Sequence, residues 1–186
     1  PGWRIVVPST PFDYIGLMNA AIQCDDPVLV VEYQSLFQKT GMIPSKNQDY
    51  VIPLGKARIV RAGYDCTVLA WAEMITHAEK AVANLDIDAE IIDLRTIDPI
   101  GLDWKCVIES VKKTNRLIIL EETTRGTSVG ARIVEMAQSN IFDWLDNEIV
   151  HVTGTDSSPV VSKVLEEAAL AGQKEVEVGL KKVMGG

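Results

Sequence analysis

The sequence is poor in the residues that carry most autonomous chemistry. Its three cysteines, Cys24, Cys66 and Cys106, stand far apart with no CxxC spacing and no fourth partner, so neither a zinc site nor a disulfide framework is indicated. No serine lies in GxSxG and no cysteine–histidine pair is adjacent, which leaves nucleophilic catalysis unsupported. No apolar run approaches the roughly 20 residues of a spanning helix, and Pro1-Gly2-Trp3-Arg4 lacks a signal-peptide layout; a soluble, cytoplasmic protein is expected. Lys and Arg number 18 against 26 Asp and Glu and form no stripe, so the net charge of -8 argues against nucleic acid or an anionic membrane and for a small-molecule or protein partner.

What is present is organised around Ala89 to Pro99. Ile91, Ile92 and Leu94 form a short apolar run of strand length, Asp93, Arg95 and Asp98 crowd its exit, and Pro99 stops further ladder pairing. The helical stripe Met74, Ala78, Val82, Leu85 precedes it and Ile100, Trp104, Val107, Val111 follows, the alternation of an open parallel α/β sheet. Ligands of such sheets meet the carboxyl ends of the strands, where Asp93 and Arg95 sit; a simple loop tie would use the same pair.

Earlier in the chain, residues 3–7 read as a strand and Ser9-Thr10-Pro11-Phe12-Asp13 as a helix start with a hydroxyl cap, proline in the first turn and an acid at the positive pole. Val28 to Val31 is a second strand, so apolar that it needs cover on both faces. This βαβ unit is too small to be a domain, and its strands are expected to pack on a second copy or to lack order. A connector follows over 36–51. The second module, 52–186, is expected to carry an edge strand at 57–61, buried strands at 67–72, 89–94, 117–121 and 148–152, and helices at 73–85, 100–113, 128–140, 159–169 and 174–184. The fold class is therefore α/β: a three-layer α/β/α domain with a mostly parallel sheet and an antiparallel edge strand, preceded by one βαβ unit.

The strand exits carry Glu32, Glu73, Asp93, Glu121, Glu122 and Asp156, an acidic rim that could supply an acid and a base or could simply be solvated. His77 lies beside an apolar helical stripe and reads as half-buried; His151 lies within a strand with no catalytic company. The glycine-rich stretch Arg125 to Ala131 follows a strand and opens a helix but has neither phosphate-loop spacing, which favours a plain turn.

Several stretches in order, Pro1 to Ser9, Gly16-Leu17, Ala20 to Ile22, Asp25 to Val28, Pro53 to Ala57, Ile91 to Thr96, Ser110 to Arg116, Glu121-Glu122 and Val152 to Gly154, resemble the β subunit of thiamine-diphosphate-dependent 2-oxo acid dehydrogenase E1 components. Pyruvate, acetoin and branched-chain enzymes share these motifs. The resemblance implies that residues 1–35 are a remnant of a pyrimidine-binding domain and 52–186 a transketolase C-terminal-type domain. It also implies that the catalytic glutamate and histidine lie upstream of Pro1, so this stretch has no catalytic or cofactor-binding residue and is inactive alone. Thiamine diphosphate and Mg²⁺ then belong to the full enzyme. The chain would be a truncation, a proteolytic product or the tail of a fused α/β enzyme.

Two roles come with the resemblance. Main-chain carbonyls at Ala21, Ile22, Cys24 and Asp26 match a structural K⁺ site, and Asp146 in Phe142 to Asp146 matches an acid that meets the subunit-binding domain of the E2 acyltransferase. The implied partners are an E1 α subunit or fused α region, E2, and a further copy of the chain in a dimer. Two departures stand out: Thr155-Asp156-Ser157-Ser158-Pro159 replaces an Asp-x-Pro-x-Pro run, and Arg132 replaces an acid. The alternatives are a non-enzymatic α/β binding module and the C-terminal domain of a transketolase or deoxyxylulose-phosphate synthase.

Overall fold

A computed structural model describes residues 2–44, 49–157 and 161–185. Two sheets are present. The smaller pairs β1 (Arg4–Val6) with β2 (Val28–Val30) in parallel, joined by α1 (Pro11–Gln23). Thr10 caps α1: its hydroxyl accepts from the Asp13 amide at 3.1 Å and donates to the Asp13 carboxylate at 2.6 Å, with Pro11 in the first turn.

The larger sheet has five strands in the order β3-β5-β4-β6-β7. They are β3 (Arg58–Arg61), β4 (Thr67–Ala70), β5 (Glu90–Asp93), β6 (Leu117–Thr124) and β7 (Val150–Gly154). β3 pairs antiparallel at the edge and the other pairings are parallel, as expected. Side chains alternate across the sheet. Val68, Ala70, Ile91, Ile118 and Leu120 meet α2 (Glu73–Leu85) and α6 (Gln173–Val183) on one face. Leu69, Ile92, Leu117 and Ile119 meet α3 (Trp104–Thr114) and α4 (Val129–Asn140) on the other. Runs apolar at every position are therefore buried on both sides.

Several boundaries differ from the sequence reading: β4 ends at Ala70 instead of 72, β7 is shifted from 148–152 to Val150–Gly154, and three further cases have a local cause or a limit in the described residues. The helix expected from residue 100 starts at Trp104, because the Asp98 carboxylate accepts from the Ile100 and Gly101 amides and closes a turn, and Asp103 is the actual cap. Ile100 is consequently outside the stripe and exposed. β6 runs three residues beyond 121, bulging between Leu120 and Thr124 so that Thr124 pairs with Gly154. The helix expected over 159–169 is described as α5 (Lys163–Ala169); Ser158, Pro159 and Val160 lie outside the described residues, as do Ser45 to Gln48 of the connector.

The βαβ unit finds part of its cover within the chain. After β5 the backbone turns through a left-handed Arg95, φ 56°, and runs antiparallel to β1: the Val7 amide donates to the Arg95 carbonyl at 2.7 Å and the Ile97 amide to the Ile5 carbonyl at 3.0 Å. Behind the smaller sheet, Ile52 packs with Val6 and Leu17, and its amide bonds the Gly16 carbonyl at 3.0 Å. Cover by a second copy or disorder is thus not needed along that edge, although Leu29 stays 46% exposed.

Candidate functional site

The exit of β5 is where the two sheets meet, and it is built from charge. Asp93 ends β5, Asp13 belongs to the first turn of α1, and both are fully buried. Nη2 of Arg58, on β3, lies 3.1 Å from Asp93 Oδ2 and 3.4 Å from Asp13 Oδ2, so one nitrogen spans the two carboxylates. Arg95 binds Asp13 through its own Nη2, and its backbone amide donates to Asp93 Oδ1 at 3.2 Å. Beside them Arg4 pairs with the fully buried Asp98 at 3.2 Å, and Asp98 also accepts from the Ile5 amide. The Ser9 hydroxyl accepts from the Ala72 amide at 2.9 Å, fixing the loop before α1 against the end of β4. The charges expected at this strand exit are therefore present, but their carboxylates are fully buried against partly exposed arginines and hold two units together. Burial, then the Asp13 charge, pushes Asp93 up to about 6 against the attraction of Arg58 and Arg95.

The acidic rim separates into distinct roles. Glu121, 2% exposed, accepts from the Val129 and Gly130 amides at 3.2 and 2.9 Å, filling the N-terminus of α4. The glycine-rich stretch is a plain turn whose anion is the protein's own, so the residues there do not fit a phosphate. His151 Nε2 sits 2.7 Å from the same carboxylate, which corrects the reading of His151 as isolated. The cause is register: Ile119 pairs with His151 across β6 and β7, and Glu121 lies two residues on along the same face. Consecutive strands in a parallel sheet usually neighbour one another, and that was the available signal.

Glu73 and Glu122 line a groove of ≈ 890 Å³ with His77, Lys163, Glu166 and Glu167. Burial and then the Glu73 and Glu166 charges raise the Glu122 pKa, whereas burial lowers that of His77, a half-buried helix residue as expected. Lys39 closes on Glu73 at 2.9 Å. Glu32 accepts from the Tyr14 hydroxyl, and Asp156 accepts from the Gly126 amide at 2.9 Å. Among the described residues no group of three or more His, Cys, Asp or Glu is placed to hold a metal ion, and no helix is long and apolar enough to cross a membrane. The three cysteines are free thiols.

Ala21 and Ile22 lie in the last turn of α1, Cys24 is its C-cap, and Asp26 follows, exposed. The Cys24 amide donates to the Ala21 carbonyl at 3.3 Å, and no basic residue lies in the last turn. Asp146 stands at the opposite end of the molecule's sequence order, in the turn after α4, where the side chain is 59% exposed and 4.0 Å from Arg116. It shares a surface groove with Phe142 and Glu148, and Trp144 nearby is 44% exposed under the Lys112 ammonium.

Residues 55–176 match the family profile of the transketolase C-terminal domain. The chain belongs to that family. Its curated relatives are longer. The pyruvate dehydrogenase E1 component subunit beta of Rhizobium meliloti is 42% identical over 186 residues, 98% of this chain and 40% of the relative. The Rickettsia felis protein of the same name is 38% identical over 98% of this chain and 56% of its own length. The acetoin:2,6-dichlorophenolindophenol oxidoreductase subunit beta of Bacillus subtilis is 38% identical over 91% of this chain and 49% of its length. The chain thus spans about half the length of the relatives it matches. A solved split-gene transketolase, an inactive β4 tetramer, has a TM-score of 0.77 at 20% identity, covering 99% of this chain and 58% of that one, and so shares the family fold. The expected α/β architecture and family are both borne out, and the relatives are β subunits of dehydrogenases and an oxidoreductase.

Proposed function

We propose that these residues form the assembly and docking half of an E1 β region in a 2-oxo acid dehydrogenase complex. The observation that carries this reading is the match to E1 β subunits along 98% of the chain. In the whole enzyme, thiamine diphosphate with Mg²⁺ supplies the electron sink that lets a 2-oxo acid lose carbon dioxide. The glycine-rich junction before α4 does not fit the diphosphate, because Glu121 takes its amides, so this chain's part is to position and to bind partners. The cofactor site would belong to the E1 α region together with the part of the β region that carries the catalytic glutamate and histidine.

The end of α1 suits a K⁺ ion: no basic side chain competes there, and the main-chain carbonyls of Ile22, Cys24 and Asp26, with that of Ala21 beside its Cys24 donor, would offer neutral oxygens. Exchanging Na⁺ for K⁺ at equal ionic strength should then raise the thermal midpoint by about 1–3 °C, by mass action on the folded state. Equal midpoints would remove the ion from this reading.

Asp146, with exposed Phe142 and Trp144 beside it, suits a basic peptide surface that brings one apolar contact, as the E2 subunit-binding domain would. The chain alone, given thiamine diphosphate and Mg²⁺, is expected to release no carbon dioxide from pyruvate or a branched 2-oxo acid while still binding that E2 domain. Turnover by these 186 residues alone would overturn the proposal, as would an absence of E2 binding.

A further inference from the structure

The seam between the two sheets holds two carboxylates that belong to different units. Asp13 comes from α1 and Asp93 from β5; both are fully buried, and a single Arg58 nitrogen lies within 3.4 Å of an oxygen of each. Among the described residues, the groups that act on Asp93 come from four segments. Asp13 approaches from α1, Arg58 from β3, Arg95 from the turn after β5, and the Ser9 hydroxyl from the loop before α1. Arg4 and Asp98 are occupied with each other. The two cations do not use their full donor sets, since Nε of both Arg58 and Arg95 is buried without a partner.

We infer that Asp93, buried at this seam against the Asp13 carboxylate, takes up a proton, and that taking it up tightens the docking of the βαβ unit on the larger domain. Two carboxylates this close repel when both are ionised, and burial removes the water that would screen them. A proton on Asp93 removes the repulsion. When the seam opens, water reaches both groups and Asp93 returns to the ordinary carboxylate range. The closed seam therefore binds more protons than the open one at mildly acidic pH. The stabilisation is full below the ordinary aspartate value and is lost as pH rises through about 6, the value to which Asp93 is pushed. This inference does not rest on the proposed function.

Two measurements on the intact 186-residue chain test it. With carboxyl-¹³C aspartate, the Asp93 resonance should titrate with its midpoint at about 6, and a midpoint below about pH 5 would overturn the inference. In hydrogen exchange corrected for intrinsic rates, amides of residues 4–7 should gain about tenfold protection between about pH 7.5 and about pH 5, from a shift of two units in one group. Asp93→Asn carries no titrating proton there, so its gain should vanish. An unchanged tenfold gain in the variant, or protection that falls on acidification, would overturn the inference. The labelled native chain decides the question by itself if the variant does not fold.

Discussion

The larger sheet and the βαβ unit are held by different forces. β4, β5 and most of β6 lie between two helical layers, with Leu69, Ile91, Ile92, Leu117, Ile118 and Ile119 fully buried and apolar on both faces. The βαβ unit has a thin core of Val6, Leu17 and Ile52, and Ile22 is 75% exposed. What places it is the ladder along residues 94–97, the buried ions around Arg58 and Arg95, and a small apolar contact in which Val7 and Val31 join the core around Leu69 and Ile92. Apolar area is non-directional and stabilises in proportion to its amount, whereas buried charges tolerate only one arrangement. The first region is thus expected to set how stable the chain is, and the second to set where one unit sits against the other.

The largest effect that follows is in the larger sheet. Leu69→Ala, a fully buried side chain on the face toward α3 and α4, should lower unfolding free energy by about 3 kcal/mol, as lost transfer energy plus a cavity. Urea titration followed by circular dichroism would read it. A loss below about 1 kcal/mol would mean that this core collapses around the gap and is less closely packed than its burial indicates.

Arg95→Met is the corresponding change at the seam. It leaves Asp13 buried with only Arg58 opposite, at a cost of about 3 kcal/mol in the pairing. The comparison requires this cost to be local: amide exchange should speed up across residues 4–7 and α1 while β6 keeps its protection. Equal acceleration in β6 would break the distinction and make the two regions one cooperative unit.

Gly16→Ala sharpens the contrast on the apolar side of the small unit. An added Cβ would lie 2.5 Å from the Ile52 side chain and 2.9 Å from the Tyr50 ring, so the segment that returns over α1 has to shift. Overpacking of this kind costs about 1–3 kcal/mol, again without loss of protection in the larger sheet. Stability unchanged within error would show that the returning segment is a loose cover.

Most of the larger sheet was legible in the sequence, and little of the seam was. Val68 to Ala70 and Leu117 to Leu120 are apolar at every position, and only a strand covered on both faces uses such a run. Asp93 and Arg95 could be placed at a strand exit for the same reason. Their partners could not. Asp13 has a sufficient local explanation as the acid in the first turn of α1, and nothing local points from it to Arg58 or Arg95, far along the chain. Glu121 and His151 meet through β6–β7 register, and the start of α3 depends on the Asp98 carboxylate winning the amides of Ile100 and Gly101. Burial leaves a periodic trace in a sequence; a polar contact between distant segments leaves none.

Asp146 belongs to neither regime, and that makes it a clean probe of the proposed docking role. Its side chain is mostly exposed and its ion pair to Arg116 is at 4.0 Å, a contact worth little in water. Asp146→Asn should therefore change stability by less than about 0.5 kcal/mol. If the surface around Phe142 and Trp144 receives a basic partner, the same change removes an attractive charge at the rim. Binding of the E2 subunit-binding domain should then weaken by roughly threefold to tenfold at low salt, with a smaller difference at about 0.5 M salt as screening shortens the reach of the charge. A variant that binds as tightly as the native chain at every salt concentration would place the docking surface elsewhere. A variant that is itself destabilised would show that Arg116 and Asp146 tie the turn after α4 more firmly than an exposed pair can.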